Sequence, residues 1–493
     1  MSIHALPSAE AIHALENQKR HSTITSIVIA FLSLTLLALV LAFIFLPREP
    51  NMSVGFTVYE QFRIIDPPIS DPKITLRTKP ASPSSAPMRS LLAESRSDLA
   101  LPPIPMPVMT AASERAGVGD YGDDGWKDGG NGGGEGLFPP IPGGLKNRCS
   151  KTERLALIEE SGGDPKLDEH VVNALRFLKS TQAPDGGWGT QHRSAMTALA
   201  LLAYLGHCET PESEEFGESC LAAIVYLINQ AKKQNGRLAS TRDTHQMPYE
   251  EAIATYALAE AYGMCRNMQI PDLRETVQTA GQFLIDQQHA SGGWDYGYEE
   301  SSPRGGDLSI TGWHVQALHA CAATKLDFKN RDTCLRKAVR YIETLQDDEG
   351  GFGYTNTKAA GSAPWHTLTG TGMLCLQMND RPTSAAVRKA ARYVLKSAPF
   401  SYDSADCDLY AHYYLALAMF QRGGEEWKQY QARIIPALMQ RQQADGSWPV
   451  PGGGQAVRSP GALFAQQSAT AQHYRTCLAT LSLEVYYRYL KTH

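Results

Sequence analysis

Two kinds of apolar run alternate along residues 151–493 of this chain. In the first kind, as at Val171, Val172, Leu175 and Leu178, apolar residues recur three and four positions apart and so share one face of a helix. The second kind is apolar on more than one face: residues 195–205, 253–262, 310–323, 368–376, 409–420 and 477–486. A helix with so little polar surface is enclosed by its neighbours, whereas the first kind packs through a single stripe. The pattern predicts an all-α domain with six inner helices, beginning near Ser194, Glu250, Leu308, His366, Asp408 and Thr470, each preceded by an amphipathic outer helix.

The joints between the runs repeat as well. A Gln and an aromatic flank five intervening residues at Gln182/Trp188, Gln288/Trp294, Gln346/Phe352 and Gln442/Trp448. Gly186–Gly187, Gly292–Gly293 and Gly350–Gly351 stand directly before the aromatic in three of them, and Asp445, Gly446 and Ser447 in the fourth. Gly ends a helix and turns the chain without steric penalty, and the aromatic is best used as a plug between units. Two weaker joints carry Gln230 followed by Gly236 and Leu238, and Lys396 followed by Phe400 and Tyr402. The aromatic or its substitute recurs every 46 to 58 residues. A period of this size marks a repeat architecture, and six helix pairs with one enclosed partner each close into an α/α toroid.

The segments Gln182-Ala-Pro-Asp-Gly-Gly-Trp188 and Gln346-Asp-Asp-Glu-Gly-Gly-Phe352 resemble the QW motifs of the squalene cyclase and protein prenyltransferase repeat superfamily. The resemblance covers about 70% of the chain. Residues 483–489 also resemble the ending of membrane-anchored bacterial repeat proteins of this group. The superfamily implies a toroid with a central cavity, often used for isoprenoids, and it includes binding and structural members too. Its cyclases carry an Asp-x-Asp-Asp acid motif. Here Asp406-Cys407-Asp408 matches the first part and Leu409 replaces the last Asp, which removes a neighbouring carboxylate that would tune the acid. Its prenyltransferases hold zinc with Asp, Cys and His. Asp406 or Asp408, Cys407 and His473 are the right types, but Asp406 is adjacent to Cys407 and Arg475 stands where a ligand His belongs. No metal and no cofactor are therefore expected.

The front third reads differently. Residues 27–46 are twenty consecutive uncharged, mostly apolar residues, long enough to cross a bilayer as a helix and longer than the apolar core of a signal peptide. Residues 1–26 then form a short cytoplasmic segment, with Lys19 and Arg20 before the span. Residues 47–150 are rich in Pro, Ser and Gly and read as a disordered tether. These features predict a single-pass protein of the cytoplasmic membrane with the toroid, residues 151–493, on the non-cytoplasmic side. A net charge of −5 gives no footprint for nucleic acid. Nine scattered cysteines without a Cys-x-x-Cys pair indicate no disulfide framework, although an exported toroid leaves room for one or two bridges.

Polar residues near the starts of the inner helices are the candidates for chemistry. Asp408 and His412 lie one helical turn apart, a spacing that can orient an imidazole for proton transfer. Asp406, Asp307 and Glu250 are further candidate acids, and for all of these helix capping is the competing role. Trp313, Trp365, Tyr410, Tyr413, His473 and Tyr474 are candidate ligand contacts, since aromatic faces stabilise cations and aromatics also fill cores. The expected function is binding of an apolar, isoprenoid-like ligand in the central cavity, with terpene cyclase- or transferase-like chemistry left open. Its rivals are a non-catalytic module holding a peptide or envelope component, and a polysaccharide-active enzyme using Tyr410, His412 and His473. A deep apolar cavity favours the first, a filled centre the second and a shallow polar groove the third.

Overall fold

The alternation of half-apolar and wholly apolar runs becomes an alternation of outer and inner helices in the computed structural model. Its described residues are 147–265, 270–355, 366–453 and 462–488, all within one compact unit, Met106–His493. The expected membrane span, the tether up to residue 146 and Trp365 lie outside them; residues 147–150, expected as the end of the tether, instead form a short 3-10 turn and the cap of the first helix, so the domain begins before residue 151. Among the described residues no helix is long and apolar enough to cross a membrane, and the only β-pairing is an isolated bridge between Gln346 and Phe352.

A leading helix, α1 (Lys151–Glu160), precedes six pairs. The outer helices are α2 (Leu167–Thr181), α4 (Gly217–Lys233), α6 (Leu273–Asp286), α8 (Arg331–Glu343), α10 (Ala385–Ser397) and α12 (Gly424–Arg441). The inner ones are α3 (Arg193–Gly206), α5 (Met247–Met264), α7 (Leu308–Ala323), α9 (His366–Met378), α11 (Leu409–Arg422) and α13 (Ala469–Leu483), and a last turn, α14 (Val485–Arg488), follows. Each inner helix packs on the next, and α13 returns to α3, so the ring closes. The expected starts agree with these within three residues. On α3 every residue after Arg193 is buried, as an enclosed helix requires, while α2 buries only one stripe through Val171, Ala174, Leu175 and Leu178.

The joints are built alike. Trp188, Trp294, Phe352 and Trp448 are all at most 1% exposed. The indole N–H of each Trp donates to a carbonyl of its own outer helix, at Leu178, Leu284 and Leu438, 2.8–2.9 Å away. Backbone N–H groups of Trp188, Trp294 and Phe352 donate to Thr197, Thr311 and Thr369 on the inner helix, 3.1 Å in each case. The weak second joint keeps this bond with other residues: Leu238 N–H donates to Glu251 at 2.9 Å. Each motif Gln uses its side-chain amide twice. Gln182 donates to Gly186 O at 2.8 Å and across to Ser219 O at the start of α4, 3.0 Å away. Gln442 does the same to Gly446 O and to His170 O of α2, joining the last unit to the first. Gly186 and Gly446 have positive φ, and a Cβ on either would lie 2.3 Å from Ala222 O or 2.1 Å from Asn173 O of the following outer helix. Another residue there would force neighbouring units apart.

The C-terminal ends of the inner helices are sealed by charge. Arg148, just before α1, bonds Glu260 of α5 at 2.6 Å and the Leu205 carbonyl of α3 at 3.0 Å. Arg488 bonds the other Glu260 oxygen at 2.7 Å and the Leu202 carbonyl. Glu484 lies beside Arg488, fully buried, and burial pushes its carboxyl up to about 8. Cys149 and Cys208 form a disulfide that pins the segment before α1 to the end of α3, a pairing the sequence left open.

Candidate functional site

All six inner helices point their N-terminal ends at one cavity of about 510 Å3. Ala195, Met196 and Leu199 of α3, Tyr249, Glu250 and Ile253 of α5, Ser309 and Trp313 of α7, Thr367 of α9, Tyr410 of α11 and Tyr474 of α13 line it. Loop residues Gln191, His192, His245, Tyr296, Tyr354, Asp408, Leu463, Phe464 and Gln466 complete the wall. Leu199, Ile253 and Trp313 lie about two turns below the helix starts, which places the floor roughly 8–10 Å down. Below it the centre is filled. Trp313 stacks on Tyr413 with ring centroids 5.6 Å apart and meets Tyr414 edge-on at 5.5 Å. Gln316 donates to the Tyr414 hydroxyl at 3.1 Å.

The cavity is thus a bowl with an apolar floor and a rim of phenols, imidazoles, amides and two carboxylates. No Lys or Arg lies among the lining residues. Both carboxylates sit at helix starts, where unpaired N–H groups favour negative charge. Asp408 caps α11 by accepting from Ala411 N–H at 2.9 Å, and its other oxygen accepts from the Thr367 hydroxyl at 2.9 Å. Glu250, 1% exposed, uses one oxygen to accept from Ser240 N–H at 2.8 Å and from the Ser240 hydroxyl at 2.5 Å. Its second oxygen, Oε1, has no hydrogen-bond donor and lies 3.5 Å from Nδ1 of His192, itself unpartnered. Tyr249 and Ser309 join hydroxyls at 2.6 Å across the α5–α7 contact.

Of the residues singled out from the sequence, Asp408, Glu250, Trp313, Tyr410 and Tyr474 line this bowl. Asp307 adjoins it but is occupied: it caps α7 through Ser309 N–H at 2.8 Å and pairs with Arg304 at 2.6 Å, and burial raises its carboxyl pKa. Tyr413 belongs to the packed centre. Asp406 is exposed in the turn before α11, outside the lining. The expected coupling of Asp408 with His412 is not formed. Asp408 folds back to cap its own helix, while His412 faces outward and places Nδ1 2.9 Å from the Tyr430 hydroxyl of α12. His473 is likewise turned away from the bowl, stacked on Trp188 and donating Nε2–H to Met196 O at 2.8 Å; burial lowers its pKa to about 4. Among the described residues no three His, Cys, Asp or Glu side chains gather as metal ligands. His192, Tyr249, Tyr296 and Tyr354 were not anticipated. Tyr249 was within reach, being next to Glu250; His192 was not, because its place depends on a left-handed backbone turn (φ 51°) just before α3.

No family model matches this sequence, and no curated protein matches it. Among solved structures it is similar to the GH76A α-1,6-mannanase of Salegentibacter sp. HEL1_6, at 10% identity over 65% of this chain and 99% of that one, with a TM-score of 0.47. The type II terpene cyclase MstE from Scytonema aligns at 14% identity over 68% and 99% of the two chains, TM-score 0.43. The Lin0763 protein from Listeria innocua aligns at 11% over 65% and 96%, TM-score 0.45. Scores this low fix neither fold nor function, and the toroid stands on the closed sequence of helix contacts.

Proposed function

We propose that the ring takes a neutral ligand with an isoprenoid-like apolar body into its mouth, and that a membrane span at residues 27–46 holds it beside the bilayer from which such a ligand would come. The observation that carries this reading is the lining: Met196, Leu199, Ile253, Trp313, Leu463 and Phe464 give an apolar bed, and the polar rim holds two carboxylates with no Lys or Arg. An anionic head such as a diphosphate would meet two carboxylates and no Lys or Arg, and the helix-start N–H groups at Asp408 are already engaged by that carboxylate. Prenyl transfer from a diphosphate is accordingly disfavoured. A volume of about 510 Å3 is within the usual range for small-molecule sites.

The filled centre below the floor is what an interaction module would show, and a saccharide reading has its own support as well. Helices α5 and α11 stand opposite each other in the ring order, so Glu250 and Asp408 approach the bowl from opposite sides among tyrosines. Two facing carboxylates suit a saccharide. Binding of farnesol, farnesyl diphosphate and maltotriose to the full-length protein in detergent separates the two. Farnesol is expected to bind at least about tenfold more tightly than its diphosphate. Tighter binding of the diphosphate would overturn the reading, binding of maltotriose alone would select the saccharide, and binding of none would leave the ring as an interaction module.

A further inference from the structure

The repeat explains most of the polar residues at the helix starts. Glu251, for example, accepts the Leu238 N–H bond that threonines accept in the other joints, and it also pairs with Arg237 at 2.8 Å. Glu250 has no such place in the scheme. One of its oxygens is spent on Ser240, and the other is buried and receives no hydrogen-bond donor, in a residue that lines the bowl. A buried carboxylate oxygen left without a donor is costly and is seldom kept without a use. Beside it stands His192, whose backbone occupies the left-handed region at φ 51° and ψ 41°, uncommon for residues other than Gly. That turn brings Nδ1 to 3.5 Å from Glu250 Oε1, too far for a good hydrogen bond between them. Both atoms are buried and have no hydrogen-bond partner, their mutual contact being an ion pair only when the imidazole is protonated, and both residues line the bowl.

We infer that Glu250 Oε1 and His192 Nδ1 together hold one hydroxyl group of the bound molecule. A hydroxyl is donor and acceptor at once: its O–H donates to the carboxylate while its oxygen accepts from Nδ1–H in the corresponding imidazole tautomer. Neither a hydrocarbon nor an anion can satisfy both atoms. This inference rests on the bowl being a ligand site, but not on the apolar body argued above, because the hydroxyl can come from an isoprenoid alcohol or from a sugar.

The test uses full-length protein in detergent and four dissociation constants in each variant: farnesol, farnesene, which has a similar chain without the hydroxyl, farnesyl diphosphate and maltotriose. Wild type is expected to bind farnesol about tenfold or more tighter than farnesene, the usual scale for a hydrogen bond to a charged group. Glu250→Gln places an amide where the free acceptor stood and is expected to erase that preference. His192→Ala keeps the carboxylate and its Ser240 bonds, and is expected to weaken farnesol binding about threefold or more with the melting temperature preserved. Should maltotriose bind in place of farnesol and lose affinity in both variants, the anchor stands and the isoprenoid body is wrong. Equal binding of farnesol and farnesene by wild type, or farnesol binding indifferent to both substitutions, overturns the anchor and leaves the apolar bed. If wild type binds none of the four, the anchor and the ligand site fall together.

Discussion

The two ends of the ring use opposite chemistry for one reason. All six inner helices run the same way, so free backbone N–H groups gather at the mouth and free carbonyls at the base. The mouth has accordingly collected carboxylates, Asp408 and Glu250, and no arginine among its lining residues. The base has collected Arg148 and Arg488, each donating to carbonyls in the last turns of α3. What differs is space. At the base, Glu260 bonds two arginines, and a Cβ on Gly206 would come within 2.0 Å of Glu484 Oε2, so nothing can enter. At the mouth, the helix starts surround a cavity of about 510 Å3 lined by two carboxylates, imidazoles and phenols. One end of the helix bundle serves stability, and the other has the features of a site.

Breaking the base gives the largest effect. Glu260→Leu leaves Arg148 and Arg488 buried without their shared counter-charge, and removing one partner from such a cluster costs about 3–5 kcal/mol. Denaturant unfolding is expected to show that loss; a change under about 1 kcal/mol would mean that the base does not seal the ring.

The pH dependence of stability sharpens the contrast. Asp168 is buried, which raises its pKa, but hydrogen bonds from His207 and Arg154 outweigh this and hold it at about 2. Its contribution is present above the ordinary carboxylate range and lost as pH falls through about 2. Burial lowers the His207 pKa, yet bonds to Asp168 and Glu209 raise it above normal, so its contribution is present below about pH 6.5 and lost as pH rises. Glu484, pushed up to about 8, also loses its contribution on the rise between the ordinary Glu value and about 8. Burial lowers the pKa of His314, His319 and His473, which makes stability rise with pH up to about 6.5; above that, melting curves are expected to show stability falling toward pH 8, and Glu484→Gln to flatten that decline. A slope identical in the two proteins would remove Glu484 from the account.

The smallest effect is expected at the rim. Asp408→Asn keeps a capping oxygen of nearly equal quality, so stability should change by no more than about 0.5 kcal/mol. A loss of 2 kcal/mol or more would mean that the mouth, like the base, serves the fold.

The fold was legible because every unit repeats the same physical demand. Enclosed helices, Gly turns and aromatic plugs are local patterns, and the six inner starts could be placed from them within a few residues. The site was legible only in part. Asp408, Glu250, Tyr410, Trp313 and Tyr474 follow from the rule that helix starts line a toroid's mouth. His412 and His473 were misplaced because a helical spacing fixes a common face but not which way it looks: His412 looks toward the outer helix α12, and His473 is taken up by the neighbouring inner helix α3 and Trp188. His192 and Glu250 meet from different units through a left-handed turn, and Cys149 finds Cys208 across 59 positions; no local pattern encodes either meeting.

The hydrogen bond from Gln442 to His170 has a consequence for how the chain could be cut. It is the same bond that joins consecutive units, made here between units with no peptide link running from the later to the earlier. Since α14 also packs on α1, the two ends of the domain lie side by side. The order in which the six units are strung is therefore a matter of genetics and not of architecture. A circularly permuted domain, joined from Arg488 to Asn147 by a short linker and opened at the exposed turn around Ser301, would ask of every joint only what it already does.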